Sequence, residues 1–148
     1  MRVSSKGRYA LAAMIHLAQN YNTGELISVI SISEQLGISK IYLEQVFSLL
    51  KRGGLVNSMK GAQGGYQLAK EPKKITAFDV LSAVELALFE KTEETVAEKA
   101  PDIDAAMQVS VFGVLDDEVK AVLNKITLAD LLAQTEKNKA ESALMFYI

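Results

Sequence analysis

The stretch "ISKIYLEQVFSLLKRGGLVNSMKGAQGGYQLAK", residues 38–70, decides the fold of this 148-residue chain. Its first part carries apolar residues at the i, i+3, i+4 and i+7 spacing of an amphipathic helix: Leu43, Val46, Phe47 and Leu50. Ser39 is a typical N-cap and Gly53-Gly54 is a typical stop signal. We therefore predict a helix from about Lys40 to Arg52.

Two short strand-like runs follow, residues 55–59 and 66–69, and they flank the glycine-rich segment 60–65. Because glycine tolerates positive φ, this pattern predicts a β-hairpin with a slim tip. A nucleotide-binding P-loop is the alternative, since glycines beside a lysine often bind phosphate. In a P-loop the lysine follows the glycines and a helix comes next. Here Lys60 precedes the glycines and a strand-like run comes next, so the hairpin is favoured.

Upstream of this stretch, helical periodicity predicts a first helix from Ser4 or Ser5 to Asn20. A second, short helix is predicted over residues 31–36, because Gly37 provides a stop signal. Helix, helix, helix and then hairpin is the order of a winged helix-turn-helix, in which the hairpin is the wing. The predicted fold class is mainly α with a small β-hairpin.

Downstream, residues 76–79 form a capping-box pattern that predicts a helix towards Phe89. The acidic run 90–102 is interpreted as a linker or loose loop, and a long helix is predicted from Pro101 or Asp102 to about Lys125. A second capping box, residues 127–130, predicts a short helix. We therefore divide the chain into a DNA-binding domain, residues 1–80, and an arm, residues 81–148, with the linker, a long dimerisation helix and a tail.

The long helix predicts a homodimer. Its apolar residues step by three and four along the chain, as in a helix that pairs with another helix: Phe112, Leu115, Val119, Val122 and Ile126. A helix with such a stripe needs a partner surface. We assign these five positions to dimerisation.

Charge and composition bound the function. Residues 1–75 hold ten Lys/Arg and four Asp/Glu, a net charge of +6, whereas residues 76–148 have a net charge of −8. A basic half predicts a polyanionic partner, with an unevenly charged solvated surface as the alternative. The chain has no cysteine and one histidine, His16, so we expect no enzyme, no metal and no cofactor. Without a long apolar run or a secretory signal, we expect a cytoplasmic protein that does not bind membranes.

The solvent face of the 40–52 helix carries groups suited to a DNA groove. Gln45 can pair with adenine, and Glu44 can accept a hydrogen bond from cytosine N4. Ile41 and Ser48 share this face, and Lys40 near its start supplies a cation for phosphate. For this helix taken alone, an ordinary amphipathic helix with a solvated polar face is the alternative.

The hairpin and the first helix supply further candidate contacts. Lys60 and Gln63 at the hairpin tip are expected to contact phosphate or minor-groove acceptors. Lys6 and Arg8 lie at the start of the first helix, where N-terminal amides also favour phosphate.

Three stretches, taken in order and spacing, resemble the Rrf family of bacterial winged-helix regulators: "MRVSSKGRYALAAMIHLA" (1–18), "ISKIYLEQVFSLLKRGGLV" (38–56) and "GAQGGYQLAKEPKKIT" (61–76). The likeness is specific over residues 1–80 and looser beyond. It implies a homodimeric, sequence-specific transcription factor, taken as a repressor, on a near-palindromic operator. By matching position, the resemblance implies major-groove contacts by Ser39, Tyr42, Glu44 and Gln45. It implies that the wing is formed by Lys60, Gly61, Gln63, Gly64, Gly65 and Tyr66. It implies contacts to the DNA backbone by Lys6 and Arg8.

One departure from the family narrows this resemblance. Many members bind an iron–sulfur cluster through three cysteines before the dimerisation helix, and residues 90–106 here contain none. Together with the ending "MFYI" (145–148), this absence resembles the cluster-free type of the family, which implies control of cysteine and sulfur metabolism with cysteine synthase as partner. The ending Phe146-Tyr147-Ile148 resembles that of this type, and we interpret it as a peptide ligand for cysteine synthase. The alternative is a tail that packs on its own domain or on the dimer partner.

Two other functions stay open at this point. One is a nucleic-acid-binding protein without sequence preference. The other is a protein-interaction adaptor that has kept the fold but lost DNA binding.

Overall fold

A computed structural model describes residues 3–90 and 95–147, and its elements follow the predicted winged helix-turn-helix order. The first half contains α1 (Ser5–Gln19), α2 (Val29–Leu36), α3 (Lys40–Arg52), β1 (Val56–Met59) and β2 (Gly65–Leu68). The second half adds α4 (Ala77–Val84), α5 (Thr95–Lys99), α6 (Pro101–Met107), α7 (Gly113–Lys125) and α8 (Leu128–Phe146). The predicted fold class is confirmed, and the bounds predicted for α3 are those observed.

The core forms where α1, α3 and α4 pack together. The apolar stripe predicted for α3 is fully buried there: Leu43, Val46, Phe47 and Leu50. Met14 from α1 and Val80 from α4 are equally buried. Because the side of α3 that carries its apolar residues is enclosed, its polar side is left to solvent.

Local capping fixes where α3 begins relative to α2. Gly37 ends α2 with φ of 67°, a left-handed conformation that glycine adopts without steric cost. The Ser39 hydroxyl then accepts a hydrogen bond from the Tyr42 amide, at 3.2 Å, and so caps α3. The tight turn of the helix-turn-helix therefore rests on these two residues.

The hairpin is antiparallel, with Val56 opposite Leu68 and Met59 opposite Gly65. This arrangement confirms the hairpin and excludes the P-loop. A third segment, which no local sequence pattern predicts, joins the hairpin. The Tyr66 amide donates to the Ile27 carbonyl at 2.8 Å, and the Ile27 amide donates to the Tyr66 carbonyl at 2.9 Å. These two bonds fasten the tip-side end of β2 to the chain just before α2.

Both predicted capping boxes are complete, at Thr76 with Asp79 and at Thr127 with Asp130. The two lie side by side, because Thr76 and Thr127 form an isolated β-bridge. Leu128, the first residue of α8, is fully buried in the core. The start of α8 is therefore anchored on the first half of the chain.

Four bounds differ from prediction. α2 begins at Val29 instead of residue 31, because Ser28 caps it by accepting a hydrogen bond from the Ser31 amide. α4 ends at Val84 instead of Phe89, because the backbone of Glu85 leaves the helical region. Residues 95–99 of the predicted linker are helical, whereas residues 91–94 of it lie outside the described residues. α8 is 19 residues long instead of short, since no glycine or proline follows Thr127 to stop it.

The long helix is interrupted by a π-turn, Gln108–Phe112, between α6 and α7. Gly113 donates its amide to the Gln108 carbonyl, and a Cβ at position 113 would lie 2.7 Å from that oxygen. Glycine is therefore the residue that fits the end of this turn. Over residues 3–90 and 95–147, no helix is long and apolar enough to cross a membrane.

Candidate nucleic-acid interface

The outward face of α3 holds most of the predicted groove contacts. Five of them are exposed: Ser39, Lys40, Glu44, Gln45 and Ser48. Lys40 Nζ lies 3.8 Å from Glu44 Oε1, an exposed i, i+4 ion pair. Such a pair contributes little to stability. It does place a cation beside the one carboxylate on a face that would approach phosphates.

Tyr42 has a different position. It is half-buried and packs against the core, with its ring edge-on to Tyr9 at a centroid distance of 5.1 Å. Its body therefore joins α3 to α1, and its role in DNA contact stays a prediction.

The wing tip presents exposed Lys60, Gly61 and Gln63. The two glycines behind the tip have a steric reason. A Cβ at Gly64 would lie 2.2 Å from the Met59 carbonyl oxygen, and one at Gly65 would lie 2.3 Å from the Ile27 carbonyl oxygen. These glycines allow the hairpin backbone to approach the Met59 and Ile27 carbonyl groups closely. This steric reason is additional to the slim tip predicted from the sequence.

Tyr66, the last predicted wing residue, lies in β2 one residue behind the pair that closes the tip, and its strand partner is Ser58. Its ring stacks on Phe47 with centroids 4.3 Å apart and planes 17° apart. Since Phe47 is fully buried on the inner side of α3, this stack couples the wing to the helix whose other side faces outward. The wing and the α3 face are thereby held as one surface.

At the start of α1, Arg8 is exposed and Lys6 is half-buried. A carboxylate already occupies the helix N-terminus: Glu85 Oε1 accepts from the Ser4 amide at 3.0 Å, from the Gly7 amide at 3.2 Å, and from the Ser4 hydroxyl. A Cβ at Gly7 would lie 2.6 Å from the same oxygen. A phosphate at this end would therefore depend on the two basic side chains instead of these amides.

The predicted dimerisation positions divide into two groups. Phe112, Leu115 and Val122 are about half exposed, whereas Val119 and Ile126 are more enclosed by their own chain. The helix also exposes apolar side chains outside the predicted set: Ile103, Val109, Val111 and Val114. The unpartnered apolar surface is therefore broader than the predicted seam and begins earlier.

The tail is helical and projects from the domain. Phe146 and Tyr147 are each 86% exposed, and Leu144 and Met145 are exposed as well. Packing of the tail on its own domain is therefore wrong for residues 144–147. Ile148 lies outside the described residues.

Comparisons with known proteins agree with this geometry. A model of the Rrf2 family, described as "Iron-dependent Transcriptional regulator", matches residues 3–134. The transcriptional regulator CymR of Bacillus subtilis (strain 168) is 38% identical over 148 residues, all of both chains. Two solved structures have the same fold. That of CymR, the global cysteine regulator of B. subtilis, has a TM-score of 0.70 at 36% identity, covering 90% of this chain and 98% of that one. That of T. potens IscR has a TM-score of 0.71 at 38% identity, covering 93% and 90%.

The iron in the family description does not fit the residues of this chain. Protein iron–sulfur clusters are held by cysteine thiolates, and the sequence has no cysteine. The single histidine, His16, is half-buried with Nδ1 3.3 Å from Gln19 Oε1. Among the described residues, no three His, Cys, Asp or Glu side chains are grouped so that they could hold a metal ion.

Proposed function

Because the chain belongs to the Rrf2 family of DNA-binding transcriptional regulators, we propose that it represses transcription as a homodimer on a near-palindromic operator. The single observation that carries the proposal is the outward face of α3, fixed beside the glycine-containing wing. In this arrangement α3 enters the major groove, and the wing follows the backbone or the adjacent minor groove.

Two residues have separable roles in this proposal. Gln45 contacts a base edge, so Gln45→Ala lowers affinity by about 1–3 kcal/mol and relaxes preference at one operator position. Lys60 contacts phosphate, so Lys60→Ala weakens binding to all sequences alike and reduces the slope of log K against log salt by about 1. Fluorescence anisotropy over a salt series, with operator and scrambled duplexes, measures both effects.

The same measurement separates the alternatives. A regulator prefers its operator over other DNA by about 10³-fold or more, whereas a non-specific binder shows salt-dependent binding with little preference. An adaptor that has lost DNA binding shows no change in DNA affinity in either variant. Glu34→Ala, at an exposed residue on α2, is the control for an unrelated charge change.

The homodimer is supported by the apolar surface of α6 and α7, since a lone helix does not leave such a stripe in water without cost. Phe112, Leu115 and Val122 lie within it. Sedimentation at micromolar concentration is expected to give twice the chain mass of 16.1 kDa. A monomer at that concentration, with Leu115→Asp sedimenting like wild type, contradicts the proposal.

The regulated genes are proposed from the relatives. CymR of B. subtilis is the global cysteine regulator, so we assign this chain to genes of cysteine and sulfur metabolism, acting on the chromosome in the cytoplasm. Genome-wide selection of bound DNA fragments, with and without cysteine precursors, tests the assignment. Bound fragments that are unrelated to sulfur genes under both conditions would refute it.

The projecting tail is proposed as the contact for a partner enzyme, cysteine synthase. Phe146 and Tyr147 are solvent-exposed aromatic side chains, the type enriched at protein interfaces. Retention on immobilised cysteine synthase is expected for the full chain and not for a chain truncated before Phe146. Equal retention of both chains removes this part of the proposal and leaves DNA binding untouched.

A further inference from the structure

One side chain on the outward face of α3 differs in kind from its neighbours. Ile41 is 72% exposed, whereas the other exposed residues of the face are polar and its neighbour Leu49 is half-buried against the core. A shallow depression on the surface is lined by Ile41, Glu44, Gln45, Ser48 and Leu49. An isoleucine there leaves most of its apolar surface in water, and packing within the chain gives no reason for it.

The position of Ile41 on α3 indicates what this apolar side chain could contact. It lies one residue after Lys40 in the first turn of α3 and four residues before Gln45, on the same stripe of the helix. In the recognition helix of a helix-turn-helix, the N-terminal residues contact base edges. The major-groove edges carry donors, acceptors and one apolar group, which is the 5-methyl of thymine.

We infer that Ile41 is a specificity-determining residue that packs on a thymine 5-methyl group in the major groove. The inference rests on the proposed function, because it requires α3 to enter that groove. A buried methyl contributes through apolar burial and adds no hydrogen bond, so it selects thymine over cytosine beside the bases contacted by Gln45 and Glu44. The carboxylate of Glu44 and the apolar Ile41 would then select different bases in neighbouring pairs.

The experiment begins with selection of duplexes from a random library by the full chain, which defines the operator. Each thymine in one half-site is then replaced singly by uracil, which lacks only the 5-methyl group. Affinity is measured for wild type, Ile41→Ser, and Ile30→Ser. Ile30 is the matched control, since it is also an exposed isoleucine, 55% exposed, but lies on α2.

The expected result is one thymine, or two adjacent ones, at which uracil weakens wild-type binding about fourfold, the effect of one buried methyl. Ile41→Ser should bind thymine and uracil equally there, while Ile30→Ser keeps the fourfold difference. Wild-type binding that is indifferent to every uracil, or an unchanged penalty in Ile41→Ser, overturns the inference alone. A wild type that selects no operator overturns the proposed function and this inference with it.

Discussion

At the residue scale, Gly65 shows why the wing sequence is constrained. Because its missing Cβ would meet the Ile27 carbonyl oxygen, Gly65→Ala must open the two bonds that join Tyr66 to Ile27. We expect a loss of about 2 kcal/mol in the free energy of unfolding, measured by urea denaturation. Gln63→Ala, at an exposed position of the same hairpin tip, is the control and should change the free energy of unfolding by less than about 0.5 kcal/mol. Equal losses in the two variants contradict this explanation.

Glu85 carries a second prediction at this scale. Its carboxylate is the acceptor for two amides and one hydroxyl at the start of α1, so Glu85→Ala leaves them without it. We expect a loss of about 1–2 kcal/mol in unfolding free energy, and a smaller loss for Glu85→Gln, which keeps an acceptor oxygen. Glu98→Ala, at an exposed glutamate on α5, should cost almost nothing. A Glu85→Ala variant as stable as Glu98→Ala contradicts this assignment.

Residue patterns that act within one turn of helix were predictable. The buried stripe of α3 and the cap at Ser39 follow from spacing alone, because a helix brings i, i+3 and i+4 together. The Glu85 contact joins Ser4 to a residue 81 positions away, and the Ile27–Tyr66 bridge also crosses between distant segments. No pattern of neighbouring residues in the sequence predicts such long-range contacts. The Glu85 contact does leave one trace in the sequence, which is Gly7. Glycine is unusual inside a helix, and a Cβ at this position would clash with the Glu85 carboxylate.

At the element scale, helical periodicity predicts the helices of the first half well, and the errors lie at the ends that carry no clear cap or stop signal. The capping box at Thr127 located the start of α8, but its length depended on an absent stop signal. The acidic composition before α6 predicts a linker, although α5 is helical. A polar composition indicates that a segment is exposed to solvent, but it does not distinguish an exposed helix from a loop. The outward, polar face of α3 follows from helical spacing, whereas the packing of Tyr42 on Tyr9 and of Tyr66 on Phe47 joins segments that no local pattern relates.

The π-turn before α7 gives a prediction for the dimer. In Gly113→Ala the added Cβ would clash with the Gln108 carbonyl, so the π-turn must revert to regular α-helix. The extra residue of the turn is then absorbed, which rotates α7 about the helix axis relative to α6. Ile103 and Leu115 would then be turned by about 100° relative to each other. We expect the dimer dissociation constant from sedimentation equilibrium to rise about tenfold, or 1.4 kcal/mol.

The control for the π-turn variant is Ser110→Ala, which lies in the same turn at an exposed position. It should leave the dimer constant as in wild type, because the turn requires no side chain there. If Gly113→Ala also dimerises as wild type does, then the phase between α6 and α7 does not matter to the interface.

At the scale of the whole molecule, surfaces of different chemistry lie on different parts of the chain. The basic half carries the α3 face and the wing, and the acidic half carries the apolar helix α6–α7 and the projecting tail. The two halves nevertheless share one hydrophobic core, because Leu128 of the arm is buried among residues of α1, α3 and α4. A proposed dimer built on α7, which packs on α4, would therefore position two α3 faces through a connected set of helices.

The tail tests whether these surfaces act independently. Since residues 144–147 are exposed, truncation before Leu144 should leave the thermal midpoint within about 2 °C of wild type. If the tail is a ligand for a separate enzyme, truncation should also leave the dimer constant and operator affinity unchanged while abolishing capture by cysteine synthase. Leu144→Ser in the full chain is the matched control, because it alters the tail's apolar surface and leaves the terminal aromatic pair. A truncated chain that dissociates at micromolar concentration would instead place the tail in the dimer interface, and the proposed enzyme contact would then be wrong.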